Sequence, residues 1–324
     1  MRQRVVIIEP SAAAALRIAR AGTVANDMVE AIVVDSVVAA LEHQPTVLGY
    51  NALFADDIVN SDVLRGLPSV IWSTQDSAPL MQQAASSAGE SMVAWLGWPT
   101  YMVAPRAWEL LIAVRNALAA GLTSRRVAPT AQQLLSPGAS VIDWRVSSTT
   151  DRDDTIAQVT RFAQSVAGKQ TERIAGVTHE LLMNALYDAP VAPDGKYLYA
   201  HDRNADIQLL PEQSATCRVA SDGQLLVIEV VDPFGGLRRS VVLRTLSRVI
   251  AAARLASGAQ VAIDTSHGGA GLGLHRVFTA AAATLIQVIP RHETRVCACF
   301  DLTLSARDLR GVPGSLHYYK GNPT

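Results

Sequence analysis

The chain has 324 residues, with 28 basic and 29 acidic side chains, a formal net charge of −1 and an apolar fraction of 49%. This length and apolar content suit one or two ordinary folded domains, which excludes a largely disordered protein. The near-neutral charge gives no overall attraction to nucleic acid or to an anionic membrane, so we expect neither as a partner.

The N-terminus and the apolar stretches indicate a cytoplasmic protein. The first residues, MRQRVVIIEP, contain only a short apolar run and no small-residue cleavage pattern, so no export signal is predicted. The apolar stretch near 277–289 is interrupted by polar residues and is too short to span a membrane. The three cysteines, Cys217, Cys297 and Cys299, form no C-x-x-C pair and are expected to be buried small side chains.

Residues 1–119 alternate short apolar runs with Ala-rich amphipathic stretches, a pattern typical of a parallel sheet covered by helices. The predicted strands are 5–8, 31–34, 47–53, 69–72 and 92–96. The predicted helices are 11–21, 36–43, 77–88 and 105–119. Five strands with intervening helices indicate a flavodoxin-like, doubly wound α/β domain.

Residues 120–152 are rich in turn formers and polar residues and are predicted to be a linker. The sequence then predicts a second domain over 153–307, an α+β two-layer sandwich. Its predicted elements are helices at 155–167, 171–188, 239–256 and after Gly271, a hairpin at 215–231, and strands at 284–289 and 294–304. Residues 308–324 carry turn formers and are expected to form a C-terminal tail that frays.

Three segments of the second half carry residues suited to binding a nucleotide. HELLMNAL at 179–186 places Glu180 and Asn184 on one helix face, with Asp188 one turn further on. VVDPFGGL at 230–237 puts Asp232 at the end of an apolar strand. HGGAGLGL at 267–274 is a glycine-rich turn leading into a helix, where backbone N–H groups and the helix dipole favour an anion.

The order of these segments resembles that of the Bergerat-fold ATPases, the GHKL or histidine-kinase-like superfamily. The resemblance implies ATP and Mg²⁺ as cofactors, with Glu180 as the catalytic base and Asn184 as the Mg²⁺ ligand. It also implies that Asp232 binds the adenine amino group. The predicted cofactor-binding set further contains Asp188, Gly236, Gly269, Gly271, Leu272, Gly273 and Arg276.

Within that superfamily the layout most resembles the anti-sigma-factor serine kinases. Tyr187 stands where histidine kinases often place a lysine, which argues against that branch, and His179 is expected to be an ordinary helix-face residue. The chain also departs from the superfamily's D-x-G-x-G pattern. Phe234 replaces the first glycine, whereas Gly236 keeps the second, so catalysis is less well supported than nucleotide binding.

Residues 1–119 resemble a response-regulator receiver. Glu9 stands where a receiver has its acidic pair, and Asn51 stands at the phosphoacceptor aspartate. Because an amide cannot form an acyl phosphate, the resemblance implies a pseudo-receiver that works by protein contact. Asp56 and Asp57 remain the alternative acceptors.

Together these features predict an ATP- and Mg²⁺-binding signal-transduction protein that phosphorylates a serine or threonine of a partner protein. The alternatives are a non-catalytic, nucleotide-dependent adaptor or scaffold and a degenerate histidine kinase. The intact Glu180 favours the kinase, whereas Phe234 and the pseudo-receiver favour the adaptor. Partner signalling proteins are expected to contact both domains, and a homodimer remains open.

Overall fold

The structure is a computed structural model that describes residues 3–25, 29–73, 81, 91–98, 102, 105–122, 127–192, 194–255, 270–305, 308 and 314–321. The helices are α1 Ala12–Ala25, α2 Val37–Glu42, α3 Ala55–Asn60, α4 Ala107–Leu122, α5 Thr149–Val166, α6 Thr171–Met183, α7 Arg239–Leu255 and α8 Ala270–Ala280. The strands are β1 Gln3–Ile8, β2 Val29–Val34, β3 Val47–Asn51, β4 Ser69–Ser73, β5 Met92–Gly97, β6 Ser140–Val146, β7 Ala215–Ser221, β8 Leu225–Asp232, β9 Ala283–Ile289, β10 Glu293–Asp301 and β11 Ser315–Lys320.

These strands form one mixed sheet in the order β2-β1-β3-β4-β5-β11-β9-β10-β8-β7-β6. The first five strands of the chain run parallel to one another. The strands β9, β10, β8, β7 and β6 pair antiparallel in that order. β11 joins the two groups, because it pairs antiparallel with β5 and parallel with β9. The protein is therefore mixed α/β, with a single sheet running through both halves of the sequence.

Helices α2, α3, α5, α6, α7 and α8 cover one face of this sheet. The helical spacing of apolar residues in α6 buries Ile174, Val177 and Leu181 against the antiparallel strands. α7 packs over the junction between the halves, where its Leu243 and Leu246 share a core with residues of both. Leu237 of the second segment and Leu274 of the third pack in or against this junction core, whereas the first segment packs on the antiparallel strands.

The other face is covered by α1 and α4 over the parallel strands and by residues 127–135 over the antiparallel strands. Two buried side chains hold this last segment in place. Ala128 N donates to Gln287 Oε1 at 2.6 Å, and Ala131 N donates to Glu229 Oε2 at 2.9 Å. Because both acceptors lie on the sheet, the segment forms part of the sheet's cover.

The region predicted to be a linker, 120–152, therefore differs from the expectation. Besides the docked segment it contains β6, an edge strand that pairs with β7 from Ser140↔Ser221 to Val146↔Ala215. The turn formers that suggested a linker lie before the strand. The strand itself is mostly exposed, so its polar residues obscure its pattern.

The C-terminal residues 315–320 do not fray, and the expectation of a tail over 308–324 is wrong for them. They form β11, which lies in the middle of the sheet. Leu316 and Tyr318 join the core beneath α7, whereas Tyr319 joins the core on the opposite face. The polar residues Ser315 and His317 are fully buried as well, which hides the apolar pattern of a two-sided core strand.

Helix α4 is fastened to β11 by a buried polar network. The Arg106 guanidinium contacts Glu109 Oε1 at 3.2 Å and Asp301 Oδ2 at 3.3 Å. Ser315 Oγ donates to Glu109 Oε2 at 3.3 Å. Burial raises the pKa of Glu109 to about 7, although Arg106 and Ser315 oppose that rise.

Several sequence predictions are confirmed. The five strands of the first half lie within a few residues of their predicted positions. The hairpin is formed by β7 and β8, with Gly223 at φ 85° in its turn. The three cysteines are free and buried. The predicted helix at 77–88 lies outside the described residues except for Met81, and none of the described helices combines the length and apolarity that a membrane crossing requires.

Candidate functional site

The helix predicted to carry Glu180, Asn184 and Asp188 changes its winding inside the motif. The α-helix ends at Met183, and Asn184–Asp188 form a π turn in which Ala189 N donates to Asn184 O at 2.9 Å. π turns of this kind are frequent at functional sites. The turn packs against β8 and α8, which brings the first of the three segments against the other two.

Gly273, in the first turns of α8, faces the side chains of Glu180 and Asn184. A Cβ atom at position 273 would lie 2.6 Å from Glu180 Oε2 and 3.5 Å from Asn184 Oδ1. Only glycine leaves the Glu180 carboxylate where it is, since any larger residue would push it aside. The residues that meet at this point lie 89 and 93 positions apart in the sequence.

The Glu180 carboxylate is paired with Arg276. Arg276 Nη1 lies 2.5 Å from Glu180 Oε1, and the exposed fractions are 12% for the Glu180 side chain and 64% for Arg276. The carboxylate is thus held on one side by a guanidinium and on the other by the start of α8. The dipole of a helix N-terminus also favours negative charge there.

The amide of Asn184 has an oxygen available for a ligand. Asn184 Oδ1 is buried and makes no hydrogen bond, although buried polar atoms are normally paired. An oxygen of this kind suits Mg²⁺, which prefers oxygen ligands and shares them with phosphates. Among the described residues, no cluster of His, Cys, Asp or Glu side chains forms a metal site. Asn184 thus offers one buried oxygen without a hydrogen-bond partner at this point.

Asp188 is held by Arg203 from the segment that follows the π turn. The two side chains form a short ion pair, which leaves Asp188 Oδ1 and Arg203 Nε buried without a hydrogen bond. Burial raises the pKa of Asp188, and the Arg203 charge opposes that rise. The nearby Glu180 charge also raises it, which places the two carboxylates in the same region.

Asp232 ends β8 as predicted, and its carboxylate organises the turn that follows. Phe234 N donates to Asp232 Oδ1 at 3.0 Å. Burial raises the pKa of Asp232 to about 7, while hydrogen bonds from Phe234, Gly235 and Thr294 oppose the rise. Near neutral pH this carboxyl group can both donate and accept a hydrogen bond.

The glycine that the Asp232 turn requires is Gly235. It has φ 62°, and a Cβ there would lie 2.1 Å from Ile289 O and 2.7 Å from Arg291 N. Gly236, the predicted binding glycine, is exposed and has open space around its Cβ position. Phe234 is half-buried. The turn is therefore fixed by its packing against the β9–β10 connection.

Thr294 is a site residue that the sequence did not reveal. It is buried at the start of β10, directly opposite Asp232 in the sheet register. Its hydroxyl group is hydrogen-bonded to the Asp232 carboxylate. The only sequence signal for this role is that the threonine stands early in the strand that follows β9. That signal becomes specific only once the pairing of β8 with β10 is known.

The remaining predicted binding residues are only partly described. Gly271 and Leu272 lie in the first turn of α8. Gly269 lies outside the described residues, together with the whole segment 256–269 between α7 and α8. Of the glycine-rich motif, the structure therefore places the helical end.

In the first half of the chain, Glu9 and Asn51 lie in hydrogen-bonding contact. Asn51 Nδ2 donates to Glu9 Oε2 at 3.0 Å, and the indole N–H of Trp72 donates to the same oxygen at 2.6 Å. The other oxygen accepts a bond from Ser11 N at 3.0 Å. Asp56 and Asp57 are exposed in the first turn of α3. Glu9 is therefore occupied by protein donors.

The turn after Asp232 is attached to the first half of the chain. Arg239, at the start of α7, donates to Met92 O at 2.9 Å and stacks over the Trp95 ring at 5.4 Å from its centre. Tyr318 of β11 donates to Leu237 O at 3.2 Å. Direct contacts thus join the Asp232 turn and the start of α7 to β5 and β11.

Comparison with known proteins adds no family assignment. No protein-family model matches the chain, and no curated protein is significantly similar to it.

Proposed function

We propose that the protein is a cytoplasmic signal-transduction protein that binds ATP and Mg²⁺ in its second half. The observation that carries this proposal is the meeting of Glu180, Asn184, Gly273 and Arg276 at one place. A buried amide oxygen, a carboxylate, a guanidinium and a helix N-terminus together suit a magnesium–phosphate group. In this proposal residues 153–307 form a GHKL-type nucleotide-binding domain of the anti-sigma-factor kinase kind.

Each residue has a defined part in this proposal. Asn184 contributes its free oxygen to Mg²⁺, Arg276 and the start of α8 contact phosphate, and Asp232 binds the adenine amino group. Asp188, Gly269, Gly271 and Leu272 are proposed to complete the pocket. Bound ATP would supply the phosphoryl group, and Glu180 would take up the hydroxyl proton of a partner serine or threonine on a carboxylate oxygen.

Residues 1–119 are proposed to act as a pseudo-receiver. The strand order β2-β1-β3-β4-β5, all parallel, is that of flavodoxin-like domains and supports this proposal. The bonds from Asn51, Trp72 and Ser11 to Glu9 support a unit that cannot be phosphorylated and that acts through protein contact. The contacts of Arg239 with Met92 and Trp95 offer a physical route to the nucleotide pocket.

A titration of the full chain with ATP, with and without Mg²⁺, tests the proposal. Wild type should bind ATP more tightly with Mg²⁺, and Asn184→Ala should lose that difference. Asp232→Ala should lose the preference for ATP over GTP. The exposed residues Asn60 and Asp57 provide the controls Asn60→Ala and Asp57→Ala. Absence of binding to wild type at millimolar ATP would refute the proposal.

A non-catalytic adaptor is the second candidate. It is favoured by the Asp232 carboxylate being engaged in its own turn and by Glu180 being paired with Arg276. The loss of γ-phosphate from bound ATP separates the candidates, with Glu180→Gln as the decisive variant. Turnover that falls at least about 100-fold in the variant supports the kinase, since general bases contribute about 10²–10⁴-fold. Binding without turnover in wild type supports the adaptor, and transfer to a histidine would instead indicate the degenerate histidine kinase.

A further inference from the structure

The ion pair between Glu180 and Arg276 joins the two groups that the proposed function uses for different purposes. Glu180 is the candidate base, and Arg276 is the candidate phosphate ligand. In the structure Arg276 Nη1 lies 2.5 Å from Glu180 Oε1, so each group is the binding partner of the other. The Arg276 side chain is 64% exposed, which gives it room to change rotamer. The Glu180 side chain is 12% exposed and is enclosed.

The carboxylate lies where an anion is favoured. Its second oxygen, Oε2, lies 2.6 Å from the position that a Cβ of residue 273 would take, in the first turns of α8. A negative charge beside a helix N-terminus and a guanidinium is stabilised by both. In this conformation the carboxylate thus fills a place that would equally suit a phosphate.

We propose that Arg276 has two partners in turn, Glu180 in the nucleotide-free protein and the phosphate tail of a bound nucleotide. This proposal rests on the nucleotide-binding function proposed above. Because Arg276 occupies Glu180 Oε1 in the empty site, that oxygen is closed to a substrate hydroxyl group. When Arg276 moves to phosphate, Oε1 becomes open to the hydroxyl group and can accept its proton. Arg276 is in this sense a positioning residue that couples occupancy of the site to activation of Glu180.

The first test is the NMR signal of the Arg276 side-chain Nε–H group, assigned by its loss in Arg276→Lys. The signal should shift when ATP binds and should stay unchanged when adenosine binds, because adenosine has no phosphate. Arg173 is the matched control, since it bridges α6 to the other end of α8 by donating to Ala280 O at 2.8 Å. An unchanged Arg276 signal under saturating ATP would overturn the proposal.

The second test is the affinity for ATP and for adenosine in three variants. Arg276→Gln should weaken ATP binding about tenfold and leave adenosine binding unchanged, and Glu180→Gln should strengthen ATP binding several-fold because Arg276 is then released. Arg173→Gln should change neither affinity. Unchanged ATP affinity in Arg276→Gln, or weaker ATP binding in Glu180→Gln, would overturn the proposed exchange of Arg276 partners. Either result would leave the proposed function intact. Wild type that binds neither ligand would refute both.

Discussion

Gly273 has no side chain and therefore lets the Glu180 carboxylate lie against α8. We expect Gly273→Ala to weaken ATP binding about tenfold, or about 1.4 kcal/mol, because its Cβ would lie 3.5 Å from Asn184 Oδ1, in the space proposed for Mg²⁺ and phosphate. Its stability should stay within about 1 kcal/mol of wild type, since alanine is the better helix former. Binding calorimetry and urea unfolding measure the two effects separately.

Gly176→Ala is the matched control, because position 176 lies in α6 and has open space around its Cβ. It should raise stability by about 0.5–1 kcal/mol and leave ATP binding unchanged. Equal ATP affinities in the two variants would contradict the role given to Gly273.

Gly235 is required by the backbone. We expect Gly235→Ala to lower the free energy of unfolding by at least about 2 kcal/mol, because φ is positive and the new Cβ would meet the Ile289 carbonyl oxygen at 2.1 Å. Gly236→Ala, one residue further along, should cost less than about 1 kcal/mol. Urea unfolding of both variants checks this, and similar losses would show that the turn is not fixed by this packing.

At this scale the sequence predicted Glu180, Asn184 and Gly273 because a motif fixes their relative positions along the chain. It did not predict Gly235 or Thr294. The need for glycine at 235 comes from the β9–β10 connection, more than 50 residues away. The role of Thr294 comes from its register with Asp232.

At the scale of elements, the attachment of α4 to β11 depends on pH. The folded-state pKa of Glu109 is raised to about 7 from 4.5, so the fold binds its proton more tightly than the unfolded chain does. Its stabilising contribution is therefore complete below about pH 4.5 and is lost as the pH rises through 7. Asp232, whose pKa is also raised to about 7, adds to the same trend.

Glu109→Gln should flatten this pH dependence. Denaturant unfolding gives the difference in free energy of unfolding between the variant and wild type at pH 5 and again at pH 7.5. Between these two pH values that difference should change by an amount that approaches an upper bound of about 3 kcal/mol. The exposed Glu172 provides the control Glu172→Gln, which should keep the wild-type slope. Identical slopes for Glu109→Gln and wild type would remove Glu109 from this role.

Elements with a clear apolar period were predictable, and those without one were not. α6 and the β7–β8 hairpin follow from their apolar spacing and from a glycine turn. β6 and β11 were missed for opposite reasons. β6 is an exposed edge strand whose apolar residues are interrupted by Asp143 and Arg145, whereas β11 is buried on both faces and includes Ser315 and His317 among its buried residues.

At the scale of the molecule, β11 joins both halves through one sheet. We expect a chain truncated after Gly314 to lose cooperative unfolding in both halves, because β5 and β9 would then expose unpaired edges and apolar side chains. Thermal unfolding followed by circular dichroism measures this loss of cooperativity. Lys320→Ala, at the exposed end of β11, is the control. A truncated chain that melts like wild type would show that β11 is dispensable.

The two halves could be predicted from composition and motif order, but their joining could not. The sequence locates a turn-rich stretch between them and predicts a linker. The pairing of the last strand with β5 joins residues about 220 positions apart, whereas its pairing with β9 joins residues 32 positions apart. No local pattern carries that information, since it depends on which sheet edges remain open after both halves have formed.

In the proposed function, nucleotide binds where α6, the Asp232 turn and α8 meet. Hydrogen exchange of the full chain, measured with and without saturating ATP and Mg²⁺, tests this binding position. We expect slower exchange in residues 180–189, 232–237 and 270–276, with Asn184→Ala reducing the effect. Unchanged exchange in these segments, or protection confined to residues 3–73, would contradict it.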